Sequence, residues 1–219
     1  MRASIFIVLV FLSGQISAQS NTQATTTHLK VLRKAGEFSQ KMLVSQNASE
    51  TTVEFTDTAG EISRNRFTPD MKSFETKYFD VNHKEYMKVD FNHSSNKIIS
   101  LGLVARSYDL EDPVYDGNGS VFYVFSKILP AEGSTFLFNL LQSKEKRIVK
   151  MYLKNIGHET INVKGIPVDA LKYETGLVNR LLSFFWPYKY HYWFSAKTRE
   201  FIRYEGPVGH ENSEVIEVK

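Results

Sequence analysis

TTVEFTDTAGEISRNRF, residues 51–67, is the stretch on which the fold turns. Val53 and Phe55 alternate with polar neighbours, Thr58-Ala59-Gly60 supplies turn residues, and Ile62 to Phe67 takes the run up again. Successive strand side chains point to opposite faces, so a period of two marks a strand with one buried face and one wet face. Two such runs about a short Gly-containing turn predict a β-hairpin.

Working outward, the pattern repeats. Phe74 to Val81 and Tyr86 to Phe91 flank a turn at Asn82-His83, and a polar loop, Asn92 to Asn96, follows. Lys97 to Ala105 (KIISLGLVA) is dense in apolar residues, which predicts a strand buried on both faces. Further hairpins are expected from Thr135–Leu141 with Arg147–Leu153, from Ile161 and Val163 with Ile166–Glu174, and from Tyr190–Ser195 with Glu200–Tyr204. Ser213 to Val218 closes the chain, and Gly206-Pro207 is expected to end the strand before it, because Pro cannot donate to a ladder. Towards the N-terminus the signal fades. In His28 to Val44, Leu29, Leu32 and Met42 fit a helical stripe, whereas Phe38 and Met42-Leu43-Val44 fit a strand. Gln19 to Thr27 is polar and Thr-rich and reads as a disordered lead-in.

One segment breaks the period. After Asn118-Gly119-Ser120, the residues Val121, Val124, Phe125 and Ile128 fall at helical spacing, with Ser120 as the expected N-cap and Pro130 as the stop. So short a helix is marginal alone and must dock on a sheet. The prediction is a mainly β protein with a little α: a curved antiparallel sheet of about ten strands with one short helix on its concave side.

The ends and the composition bound the setting. Arg2, the apolar run Ile5–Leu12, the break at Ser13-Gly14-Gln15 and the small residue Ala18 together read as a signal peptide over residues 1–18. The run is too short for a bilayer core of about 30 Å, and no later stretch has the length of a transmembrane helix. Of 219 residues, removing 18 leaves 201, one β-rich domain over 19–219 with a substantial core. With no cysteine the chain has neither disulfides nor a lipid-attachment thiol, and the core must come from 16 Phe, 11 Tyr and 2 Trp. An exported chain without disulfides points to a bacterial periplasm, with secretion as the alternative. There the sequons at Asn47, Asn92 and Asn118 have no role; in a eukaryotic protein they would be glycosylation candidates. The net charge of +3, with acids and bases interspersed, argues against a nucleic-acid partner.

The segments YDGNGSVFYVFSKILPAEGSTF (115–136), GHETINVKGIPVDALKYE (157–174) and YHYWFSAKTREFIRYEGPVG (190–209) resemble the DUF3108 family of bacterial envelope proteins. The resemblance covers roughly Asp112 to Lys219. It implies a half-barrel similar to the lipoprotein carriers, with the helix filling the concave side. It carries over Glu159, Gly165, Trp193 and Arg203 as motif positions with structural roles, and no catalytic residues. Trp193 and Tyr192 should point to opposite faces of their strand, so one should enter the core.

Catalytic and metal signatures are missing. None of the six histidines forms H-x-H or H-E-x-x-H, and His158-Glu159 would face opposite ways on a strand. There is no G-x-S-x-G, no cysteine nucleophile and no motif that calls for a cofactor. Asp109, Glu111, Asp112 and Asp116 gather hard oxygens, but without EF-hand spacing. The segment Leu177–Tyr190 is apolar and aromatic where a polar connection is expected. It must bury itself, line a cavity or touch a membrane or partner. Leu181, Phe184, Phe185 and Trp186 are the candidate rim of an apolar pocket, joined by Phe125 from the helix. The first expectation is therefore a non-enzymatic periplasmic protein that binds a lipid or other apolar molecule. The alternative is a structural protein docking an envelope partner through the aromatic loop.

Overall fold

The computed structural model describes residues 22–102, 105–179, 189–208 and 212–219. The first half supplies β1 (Gln23–Arg33), β2 (Gly36–Gln46), β3 (Thr51–Thr56), β4 (Ile62–Phe67), β5 (Ser73–Phe79), β6 (Glu85–Asn92), β7 (Lys97–Leu101), β8 (Arg106–Asp109) and β9 (Val114–Asp116). After α1 (Val121–Ile128) come β10 (Thr135–Gln142), β11 (Arg147–Val163), β12 (Ile166–Leu177), β13 (Tyr190–Ser195), β14 (Phe201–Val208) and β15 (Asn212–Val218). The class is as expected, mainly β with one helix on a curved sheet, but the described residues hold fifteen strands where about ten were predicted.

All fifteen strands form one sheet in the order β8-β7-β6-β5-β4-β3-β2-β1-β15-β14-β13-β12-β11-β10-β9. Neighbours are antiparallel except β9 and β10. The order explains the curvature. Strands β8 and β9 stand at opposite ends of the sheet yet follow each other in sequence. Laid flat, fourteen spacings of ~4.8 Å would part them by ~67 Å, whereas Asp109 to Val114 can span at most ~18 Å. The sheet must curl until its ends approach. At the seam Ser73 Oγ donates to the Val114 carbonyl oxygen (2.9 Å). His93 stands across it, with Nδ1 at 3.0 Å from Asp112 Oδ2 and Nε2 at 2.8 Å from the Ser73 carbonyl oxygen.

Several local expectations are corrected. Residues Gln23–Thr27, read as a disordered lead-in, pair with Met42–Gln46 in the long β1–β2 hairpin. That hairpin also settles His28 to Val44 as strand on either side of a turn at Lys34-Ala35. β7 is buried on alternate residues only, leaving Ile99 and Leu101 exposed, because it lies next to the sheet end and has just one covered face. Pro207 does not end β14: it pairs with Ser213 on one side and lies past the first residue of β13 on the other, where the ladder needs no N–H. The Lys164-Gly165 turn follows the prediction, both residues having positive φ (53° and 82°) as a type I′ hairpin turn requires.

The principal core lies between the concave face and α1. Phe122 stacks on Phe201 (ring centroids 4.5 Å apart) and meets Phe55 edge-on, and Phe125 meets Phe138 and Tyr192 edge-on. Tyr192 and Trp193 do face opposite ways, yet both are buried, Tyr192 in this core and Trp193 in a second cluster with Ala170 and Ile202. Among the described residues no helix is long and apolar enough to cross a membrane.

Candidate functional site

An eight-residue helix has little stability of its own, so what holds α1 over the sheet decides what space remains beneath it. At its start, Ser120 is helical and makes no side-chain cap, contrary to expectation. The capping oxygen belongs to Asn118, whose Oδ1 accepts from the Ser120 N–H (2.9 Å). Asn118 Nδ2 donates to Asn65 Oδ1 (3.0 Å), Asn65 Nδ2 donates back to Asn118 Oδ1 (3.1 Å), and Thr76 donates to Asn65 Oδ1 (3.0 Å). The Asn118 amide is thus fully committed within the fold. Gly119 lies against the Phe55 ring so closely that a Cβ would fall 2.2 Å from it, which brings the helix entry onto β3. At the other end, Tyr173 donates to the Pro130 carbonyl oxygen (3.1 Å) and Asn155 Nδ2 donates to the Tyr173 hydroxyl (3.1 Å). Asn155 is placed by a bulge in β11, where Gly157 takes a φ of 125°.

The helix thus fixed leaves a cavity of about 530 Å³ against the concave face. Its floor is buried and largely aromatic: Phe122, Phe125, Phe138, Met151, Tyr192 and Tyr204. Its mouth is marked by lining residues that keep solvent contact, among them Gly117, Gln142, Arg147, Leu177 and Tyr190. Burial raises the Tyr192 and Tyr204 phenols above their ordinary range. Gln40 adds a buried Oε1 with no hydrogen-bond partner among the described residues.

A smaller, polar cavity of about 220 Å³ shares Phe55, Gly117, Asn118 and Gly119 with the first. Beside it Asp116 is 2% exposed. Its Oδ2 accepts from Ser143 Oγ (2.8 Å), while Oδ1 has no hydrogen-bond partner among the described residues. Burial pushes this carboxyl up to about 6, against the pull of the Tyr78 and Ser143 hydroxyls and the Gly117 and Ser143 N–H groups.

Of the residues expected to line a pocket, Phe125 does so, 1% exposed on the cavity floor. Leu181, Phe184, Phe185 and Trp186 lie outside the described residues. Both flanks of that segment, Leu177 and Tyr190, line the cavity mouth. Three of the four motif positions meet on the opposite face of the sheet. Trp193 Nε1 donates to Glu159 Oε1, Lys172 Nζ sits 3.3 Å from the same carboxylate, and Lys172 and Arg203 cover the Trp193 ring at 4.9 and 5.4 Å. Glu159 is thereby occupied, and its neighbour His158 lies 4.0 Å from Asp169 instead. Among the described residues no three His, Asp or Glu side chains converge as a metal site needs. Sequence reasoning missed Leu140, Val149 and Met151 as lining, although their period-two spacing on β10 and β11 signals one shared face.

The fold has solved relatives. A β-barrel-like protein of the domain of unknown function DUF1849 from Brucella abortus superposes with a TM-score of 0.51 at 8% identity, covering 89% of this chain and 94% of that one. The hypothetical lipoprotein YmcC from Escherichia coli K12 aligns at 12% identity over 89% of this chain and 86% of its own, with a TM-score of 0.35, too loose to carry an argument. No curated protein matches the chain. The family model for proteins of unknown function DUF3108 matches residues 23–216, and the chain belongs to that family.

Proposed function

We propose that this protein is an exported, non-enzymatic binding module that holds a lipid or other apolar ligand in the cavity between α1 and the sheet. The observation that carries the reading is the cavity itself. Protein interiors are packed at near-crystal density, yet here a helix anchored at both ends leaves about 530 Å³ open above an aromatic floor. Sites for small molecules occupy roughly 300–1,000 Å³ and combine apolar walls with a few polar groups. An acyl chain entering such a site gains ~0.8 kcal/mol per methylene buried. The non-enzymatic part is supported by the titratable groups of the lining, which are Arg147, Glu214 and tyrosines, with Tyr192 and Tyr204 held far from acid–base use near neutrality. The export part rests on the leader from Arg2 to Ala18.

The test is a fluorescence titration with the neutral apolar probe N-phenyl-1-naphthylamine, on wild type and on Val149→Trp. Val149 is a half-buried wall residue, so an indole there takes up space within the cavity. Wild type should bind one probe per chain, and the variant at least about tenfold more weakly, with an unchanged circular dichroism spectrum. A wild type that does not bind, or a variant that binds as tightly, would overturn the proposal.

A further inference from the structure

Resting on that reading, we infer that the ligand is an amphiphile with an acidic head group, a carboxylate or phosphate, held at Arg147 with its apolar chain running inward along β10 and β11. The gradient of polarity is written into these two strands. Residues at every second position share a face, and from the hairpin end β11 presents Arg147, Val149 and Met151 to the cavity while β10 presents Gln142, Leu140 and Phe138. Both series pass from polar at the mouth to apolar at the floor, over ~14 Å from Arg147 to Met151 at ~3.4 Å per residue. An amphiphile has the same sequence of chemistry along its length.

The charges at the mouth point the same way. Arg147 is exposed, and its Nε donates to Gln142 Oε1 across the ladder. Its remaining N–H donors have no acceptor, and its charge no carboxylate, among the described residues. Of the lysines near it in sequence, Lys144 is matched by Glu61 (2.6 Å) and Lys150 by Glu111 (3.7 Å), while Lys146, beside it in the hairpin turn, has no ion pair among the described residues and adds a second cation at this hairpin end. The carboxylate in the lining, Glu214, is bound by Arg33 at 2.9 Å and does not compensate Arg147. A guanidinium with a free planar edge fits two oxygens of a carboxylate or phosphate. Gln142 steadies it by fixing Nε.

The experiment is isothermal calorimetry of the full chain with four probes of one chain length, below their micelle concentrations: dodecanoate, dodecyl phosphate, dodecanol and dodecyltrimethylammonium. Wild type should bind at least one of the two anions about tenfold more tightly than dodecanol, and the cation most weakly. Arg147→Gln should lower the anion's affinity to that of dodecanol and leave dodecanol unchanged, while Arg147→Lys should retain part of the preference. Whichever anion binds more tightly separates a fatty-acid from a phosphate-headed ligand. Equal affinities for anions and alcohol in wild type, or a loss of both in Arg147→Gln, would overturn the head-group assignment alone. If even dodecanol fails to bind, the cavity reading falls with it.

Discussion

Replacing Asp116 with Asn and following stability from pH 4 to 8 isolates the cost of the carboxyl buried beside the cavity. Asp116 is 2% exposed, one oxygen accepts from Ser143, and the other has no hydrogen-bond partner among the described residues. Burial lifts its ionisation from 3.8 to about 6. A shift of about two units corresponds to ~3 kcal/mol at ~1.36 kcal/mol per unit. The sign follows from proton counting. Between the two values the folded chain holds a proton that the unfolded chain has lost, so stability falls as pH rises through this window and is level above about 7. Glu75, Glu159 and Glu174, whose carboxyls are held below their ordinary values by cationic and hydroxyl or indole partners that outweigh burial, contribute the opposite slope. The wild-type curve alone therefore mixes the two, and the difference between wild type and Asp116→Asn separates them. Measured by urea denaturation, wild type minus variant should become less favourable by up to ~3 kcal/mol between pH 4 and pH 7, at constant m-value. Any fixed offset that the amide introduces cancels in this slope. A difference independent of pH, or rising with pH, would refute the reasoning.

Two further outcomes follow from the packing around the site. Gly119→Ala sets a Cβ 2.2 Å from the Phe55 ring, which is itself packed edge-on against Phe122, so thermal denaturation should show a loss of ~1–3 kcal/mol, with part of it restored by Phe55→Leu. Arg203→Ala removes one cation from the Trp193 ring and its pairs with Glu205 and Glu217, and should cost ~1 kcal/mol in urea denaturation while leaving naphthylamine binding unchanged, because that cluster lies on the face away from the cavity.

Much of the architecture was legible because it rests on period-two alternation. Val53, Phe55 and Phe67 fall inward as expected, and so do the helix residues Val121, Val124 and Phe125. The helix was legible as an interruption of that period, and its stop at Pro130 as a backbone constraint. What escaped notice depended on long-range pairing. The polar, Thr-rich Gln23–Thr27 carries no apolar signal, and it becomes strand because β2 offers it a continuous ladder. The cap passed from Ser120 to Asn118 because Asn65, distant in sequence, holds that amide in place. Within the site, Phe125 could be chosen from helical spacing, whereas Arg147 was one cation among many. Its position at the end of a polar-to-apolar row emerges only when β10 and β11 are set in register. The motif residues Glu159, Trp193 and Arg203 were legible as a pattern, and their shared cluster shows why they form one: Glu159 and Arg203 both cover the buried Trp193 indole.

Native mass spectrometry of the protein expressed from residue 1 and purified without detergent tests the central claim most directly. The cavity account predicts a bound species of one per chain, released by organic extraction, acidic and amphiphilic, and depleted in Val149→Trp. A bare protein mass that stays unchanged after incubation with dodecanoate, dodecyl phosphate and dodecanol would contradict it.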